Sequence, residues 1–230
     1  MGGHFYPTNR VSIFVGALGS GKTELAINTA LMLAQEVPVA LVDLDVINPY
    51  YRVRKVKTEL ARLGVDVVCP PDALMQADVP ALTPAIWGVL SRDDQRGVFD
   101  VGGDDIGAIV LGSLRPSLPT GHYAVYFVVN TCRAHSATRA DIHLMIDRIE
   151  RTARVGIDYL INNTNLGPET DAATVVEGRR ILGVVAGERG VSVACTGVRP
   201  GIAAAVRALD AVTPVFRLRF FMRPPWETEV

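Results

Sequence analysis

Residues 16–23 read Gly-Ala-Leu-Gly-Ser-Gly-Lys-Thr and match G-x-x-x-x-G-K-[ST] at every required position. An apolar, β-branched run, Val11 to Val15, precedes the motif, and a helical pattern follows from about Lys22 to Gln35. A strand, a glycine loop and a helix in that order form a cradle for phosphate. The glycines let backbone N–H groups turn inward, and the helix N-terminus adds a partial positive charge. In such a loop Gly16, Gly19, Ser20 and Gly21 shape the cradle. Lys22 reaches the β- and γ-phosphates, and the Thr23 hydroxyl ligates Mg²⁺. The motif therefore implies a nucleoside-triphosphate site.

The rest of the chain repeats strand and helix. Further strands are expected at Val39 to Leu44, Val65 to Val68, Arg96 to Val101, Tyr123 to Val129, Tyr159 to Ile161 and Val191 to Cys195. Helices are expected over about 53–63, 83–90, 138–154 and 171–188, with Thr83 as the cap of its helix and Pro84 in the first turn. A loop carrying Pro70, Pro71 and Pro80 spans 70–80. Strands this uniformly apolar are buried on both faces, and their alternation with helices implies βαβ units. The expected fold is α/β: a mainly parallel, twisted sheet of seven or eight strands with helices on both faces. A single domain over 1–230 suits the length, and Thr213 to Val230, rich in Pro, Arg and aromatics, reads as an edge strand or tail.

Ligands of such sheets sit at the strand carboxyl ends, and two carboxylate positions fall there. Asp43 and Asp45 are two residues apart at the end of the second strand, so their side chains share a face. Asp100 ends the fourth strand, two residues before Gly102-Gly103. An apolar strand ending in Asp just before a glycine pair has the form of a Walker B site. There the Asp holds a Mg²⁺-bound water and the Gly103 backbone can sense the γ-phosphate.

Composition narrows the partners. The formal net charge of −1 gives no electrostatic reason to expect nucleic acid or a membrane surface. Cys69, Cys132 and Cys195 are far apart and odd in number, which argues against a disulfide framework or zinc knuckle and suits a cytoplasmic compartment. The Met1-Gly-Gly-His-Phe-Tyr start lacks a signal-peptide pattern, Tyr6 stands where myristoylation needs Ser or Thr, and no apolar run reaches membrane-spanning length.

With Val42-Asp-Leu-Asp45 after the phosphate loop and Asp100-Val-Gly-Gly103 later, the chain resembles the MinD/ParA-type ATPases of the SIMIBI division of P-loop NTPases. The resemblance covers roughly residues 11–210. It implies that Asp45 positions or activates the attacking water and contacts Mg²⁺, and that Asp100 is the Walker B carboxylate. The implied site has Lys22 and Asp45 in catalysis, and Thr23, Asp45 and Asp100 at the metal. Many members carry a lysine after the first glycine of the loop that bridges a homodimer; here that position is Ala17.

Tyr159-Leu-Ile-Asn162-Asn-Thr-Asn165 occupies the place of the N-K-x-D base motif of GTPases, with Asn165 where the guanine-selecting Asp would be. An amide both donates and accepts, so it does not select guanine in that way. The reading is therefore ATP with Mg²⁺, the base held by Asn162 or Asn163 and walled by Arg199; an ordinary turn is the alternative for the Asn run. Asn48-Pro-Tyr-Tyr51-Arg52 follows Asp45 as a switch segment suited to an unidentified protein partner. A slow ATPase switch is the leading function, and a small-molecule kinase or ATP-dependent ligase the alternative. A kinase would need an arginine lid, for which Arg92, Arg96 and the Arg133–Arg139 stretch are the available residues.

Overall fold

Eight short strands form the sheet among the described residues, and two of them, Val11–Val15 and Val39–Leu44, are buried at every residue because both faces of the sheet are covered. The computed structural model describes residues 4–45, 53–69, 83–103 and 105–222, without the side chains of Arg54 and Lys55. The expected switch segment Asn48 to Arg52 and the 70–80 loop lie outside the described residues, as does 223–230 of the tail.

In chain order the elements are β1 (Val11–Val15), α1 (Lys22–Leu33), β2 (Val39–Leu44), α2 (Lys57–Arg62), β3 (Val65–Val68), α3 (Pro84–Ser91), β4 (Arg96–Val101), α4 (Asp105–Leu114), β5 (Tyr123–Val129), α5 (Arg139–Ala153), β6 (Tyr159–Asn162), α6 (Ala172–Arg189), β7 (Ser192–Val198), α7 (Ala203–Leu209) and β8 (Val215–Arg217). The sheet order is β3-β2-β4-β1-β5-β6-β7-β8, and every neighbouring pair is parallel. All carboxyl ends therefore lie along one edge. The loop after β1 leaves that edge between β4 and β5, where the strand order switches direction.

Alternation along the strands divides the core in two. Ile13 and Val15 pack with Leu111, Ile142 and Ile146 on one face, while Phe14 packs with Leu25, Ile27 and Leu41 on the other. Thr138 and Asp141 form a reciprocal capping box at the start of α5, and the Asp171 side chain accepts from Thr174 N at the start of α6.

Some elements differ from the sequence pattern. The expected 53–63 helix opens with a 3-10 turn, Val53–Val56, before α2. Thr83 stands at the N-cap of α3 but makes no capping bond, and its buried Oγ1 has no partner among the described residues. Pro84 at N1 already removes one of the amides a cap would serve. The seventh strand starts at Ser192 and runs beyond Cys195 to Val198. Helices α4 and α7 were not anticipated. α4 hides behind its glycines, which are there for packing: a Cβ at Gly107 would stand 2.2 Å from the Gly102 carbonyl oxygen.

Candidate nucleotide site

Three glycines of the phosphate loop adopt positive φ, +144° at Gly16, +74° at Gly19 and +87° at Gly21. Two of them also have no room for a side chain. A Cβ at Gly16 would stand 2.3 Å from the Val128 carbonyl oxygen, and one at Gly21 would stand 2.1 Å from Asn163 Nδ2. The loop is thus pressed against the ends of β5 and β6. α1 begins at Lys22 with no side-chain cap, so the first-turn amides keep the electropositive end that an anion needs. Lys22 Nζ donates to the Ala17 carbonyl at 3.0 Å, folded back over the loop.

The carboxylates assemble beside it. Asp43 on β2 and Asp100 on β4 are register partners on neighbouring strands. Thr23 Oγ1 donates to Asp100 Oδ2 at 2.6 Å, and Asp45 N donates to Asp43 Oδ1 at 3.0 Å. Burial first, and then the Asp43 charge, push the Asp100 carboxyl well above the usual carboxylate range. A cation would offset that strain. Asp100 Oδ1 is buried and has no hydrogen-bond partner among the described residues, so it fits an ion or an ion-bound water. No three His, Cys, Asp or Glu side chains among the described residues gather into an all-protein cage. Gly103 closes the far side: a Cβ there would stand 2.6 Å from the Leu18 nitrogen and 2.7 Å from Lys22 Nζ.

A second cleft opens alongside. Asn163, Asn165, Arg199, Leu218 and Phe220 line it. Asn163 Nδ2 donates to the Ser20 carbonyl at 2.7 Å and so joins the cleft to the phosphate loop. Arg199 Nη2 donates to the Thr170 carbonyl, while its Nε is buried without a partner among the described residues. Asn162 is elsewhere: it is fully buried, its Nδ2 donates to the Val175 carbonyl, and its Oδ1 accepts from Thr164. Its role is to hold α6 and the 162–165 turn, and of the two asparagines only Asn163 lines the cleft. Asn165 is half spent on its own turn, donating to the Asn163 carbonyl and accepting from Gly167 N.

The C-terminal segment reaches this site through contacts that no sequence pattern marks. Beyond β8 the chain crosses α1. Asn28 Nδ2 donates to the Arg219 carbonyl and Asn28 Oδ1 accepts from Arg219 N, both at 2.8 Å. Glu24 accepts from Phe221 N at 2.9 Å and from Met222 N at 2.6 Å. Burial pushes the Glu24 carboxyl up to about 7, against the pull of those two amides. Among the expected lid arginines, Arg92 pairs with Asp94, and Arg96 opens β4 at the end remote from Asp100, where it holds the carbonyls of Pro7, Thr8 and Asn9.

No protein-family model matches the chain, and no curated protein sequence matches it. Solved structures do. FlhF complexed with GTP/Mg(2+) superposes with a TM-score of 0.53 at 14% identity, over 84% of this chain and 67% of that one. FlhF complexed with GMPPNP/Mg(2+) gives 0.54 at 16% over the same shares. FtsY from Mycoplasma mycoides gives 0.50 at 15%, over 84% of this chain and 62% of that one. The chain has the fold of the SIMIBI class of P-loop nucleoside-triphosphatases. Among the described residues no helix is long and apolar enough to cross a membrane.

Proposed function

We propose that the chain is a Mg²⁺-dependent ATP-binding protein of the MinD/ParA type, a slow ATPase whose nucleotide state changes its hold on a protein partner. The observation that carries this reading is the bond from Thr23 Oγ1 to Asp100 Oδ2, with Gly103 packed on the loop two residues beyond β4. It couples the phosphate cradle to the segment that would answer a γ-phosphate.

In this reading the loop amides and Lys22 hold the β- and γ-phosphates. Thr23 and Asp100, with Asp45, hold the metal, which supplies charge neutralisation across the phosphates when bound. Asp45, half-buried at the end of β2, orients the attacking water and accepts its proton. Asn163 and Arg199 face the base. ATP is favoured over GTP because residue 165 is an amide, not the carboxylate that accepts from guanine N1–H and its exocyclic amine. Asn48 to Arg52 is the partner-facing segment, the cysteine usage suits a cytoplasmic setting, and a homodimer, if formed, does not use a lysine at residue 17.

With Ala17 in place of a bridging cation, hydrolysis by the protein alone falls below about one turnover per minute, as in unassisted switch NTPases. The test is ATP turnover of the purified protein, alone and then with proteins encoded beside it. Stimulation by one of them is expected. Tens of turnovers per second by the isolated chain would instead favour a kinase or ligase; Arg92 and Arg96 stand away from the phosphate loop, whereas Arg133 Nε lies 3.5 Å from where a Cβ on Gly19 would be.

A further inference from the structure

We propose that residues 215–222, strand β8 and the strap after it, form the outer wall of the nucleobase pocket, with Phe220 as the residue that covers the ring. The strap is latched to the phosphate-loop helix, so that seating the base and seating the strap are one event. The inference rests on the ATP-binding reading and extends it to the residues that recognise the ring.

The cleft lies directly beside the loop, since Asn163 touches both Ser20 and the space over Gly21. A ligand with its phosphates on residues 16–23 brings its attached ring here. The floor is closed by side chains: a Cβ at Gly197 would stand 2.8 Å from Asn163 Oδ1 and 3.0 Å from Leu218 Cδ1, so both pack down on β7. Phe220 stands at the lip above them. Leu218 N donates to the Val198 carbonyl at 2.8 Å and extends the β7–β8 ladder by a residue, so the strap begins at a fixed height over the cleft. In the extended chain beyond it, Leu218 and Phe220 fall on one side and Arg219 and Phe221 on the other. Both Leu218 and Phe220 line the cleft. Phe221 is buried in the core, and the Arg219 guanidinium lies 4.7 Å from the centre of its ring while bonding Glu59 at 2.7 Å.

Phe220 is 55% exposed although its neighbour Phe221 is only 9% exposed. A large aromatic left half in water at the mouth of a cleft is covered when a flat ring stacks on it. The latch sits on the same helical turn as the phosphate ligands. Glu24 follows Thr23 directly and holds Phe221 N and Met222 N, and Asn28, one turn on, holds Arg219 through two reciprocal bonds. A base that fills the cleft and a strap that closes on α1 therefore stabilise each other.

The experiment compares Mg²⁺–ATP with Mg²⁺–tripolyphosphate, which has the phosphates but no ring, by calorimetry on the full chain. Phe220→Ala is expected to weaken ATP about tenfold and leave tripolyphosphate unchanged, with Phe220→Tyr restoring ATP affinity. Tryptic cleavage after Arg219 is expected to slow with ATP but not with tripolyphosphate, and to be faster in Asn28→Ala. If Phe220→Ala binds ATP as the wild type does, or if both ligands protect Arg219 equally, the wall is overturned while the ATP reading stands. If the wild type binds neither ligand, the ATP reading fails and the wall with it.

Discussion

The two ends of the candidate site are built by opposite means. The phosphate end is eight consecutive residues whose work is done by backbone amides, held in place by glycines that admit no side chain. The ring end is assembled from Asn163, Arg199 and Phe220, drawn from three separate parts of the chain. A cradle of amides with the Lys22 charge over it binds phosphate whatever carries it. A cleft of side chains is where base choice and a link to the rest of the molecule can be altered without disturbing the cradle.

The largest effect expected from this contrast is on folding. Gly16→Ala puts a methyl 2.3 Å from the Val128 carbonyl at φ +144° and should cost about 3 kcal/mol in urea denaturation, an estimate built from strain plus overpacking. Gly167→Ala at the ring end also has positive φ, +66°, but has nothing within 4 Å, so about 1 kcal/mol is expected. Equal losses at the two sites would mean that the phosphate loop is not the more tightly packed end.

Next comes chemistry. Asp45→Ala should keep ATP affinity within a few-fold and reduce hydrolysis about a hundredfold, the scale of a lost water-orienting base. Turnover at the wild-type rate would remove Asp45 from the mechanism.

These expectations lean on the part of the molecule that was legible. The central strands stand out because near-continuous Val, Ile, Leu and Phe runs have no other place than the middle of a covered sheet, β3, β6 and β7 are marked by their alternation with helices, and the G-x-x-x-x-G-K-[ST] spacing is local. The illegible parts are long-range. α4 reads Asp105-Ile-Gly-Ala-Ile-Val-Leu-Gly-Ser-Leu114, and its glycines lower helix propensity because another backbone must approach them. The latch joins residues 191 to 198 apart in sequence, through Glu24 and Asn28, which pass for ordinary helix residues. Asn162 and Asn163 are identical neighbours in the sequence, yet strand alternation sends the first inward to α6 and the second to the phosphate loop.

A further variant compares the two ends directly. Lys22→Ala removes a point charge from the phosphates and should weaken ATP and tripolyphosphate alike by more than about tenfold, or ~1.4 kcal/mol. Loss of ATP binding with tripolyphosphate unaffected would place Lys22 at the ring end and break the division.

The smallest expected effect probes base choice. Asn165→Asp supplies the carboxylate that guanine recognition uses, and the new acceptor can still take the hydrogen bond from Gly167 N. The exchange also deletes the donor that Asn165 Nδ2 gives to the Asn163 carbonyl at 2.7 Å, which loosens the turn carrying Asn163. A charge-assisted bond to guanine contributes about 1.5–3 kcal/mol, and the lost internal bond costs about 1 kcal/mol. The lost internal bond weakens both nucleotides alike and cancels in their ratio, so the ratio of GTP to ATP affinity should move toward GTP by about tenfold, the low end of that contribution. Competition binding with both nucleotides measures that ratio. A large switch to GTP would mean that residue 165 alone sets base choice. A ratio that does not move, together with intact sensitivity to Phe220→Ala, would place ring recognition in stacking rather than in the edge of the base.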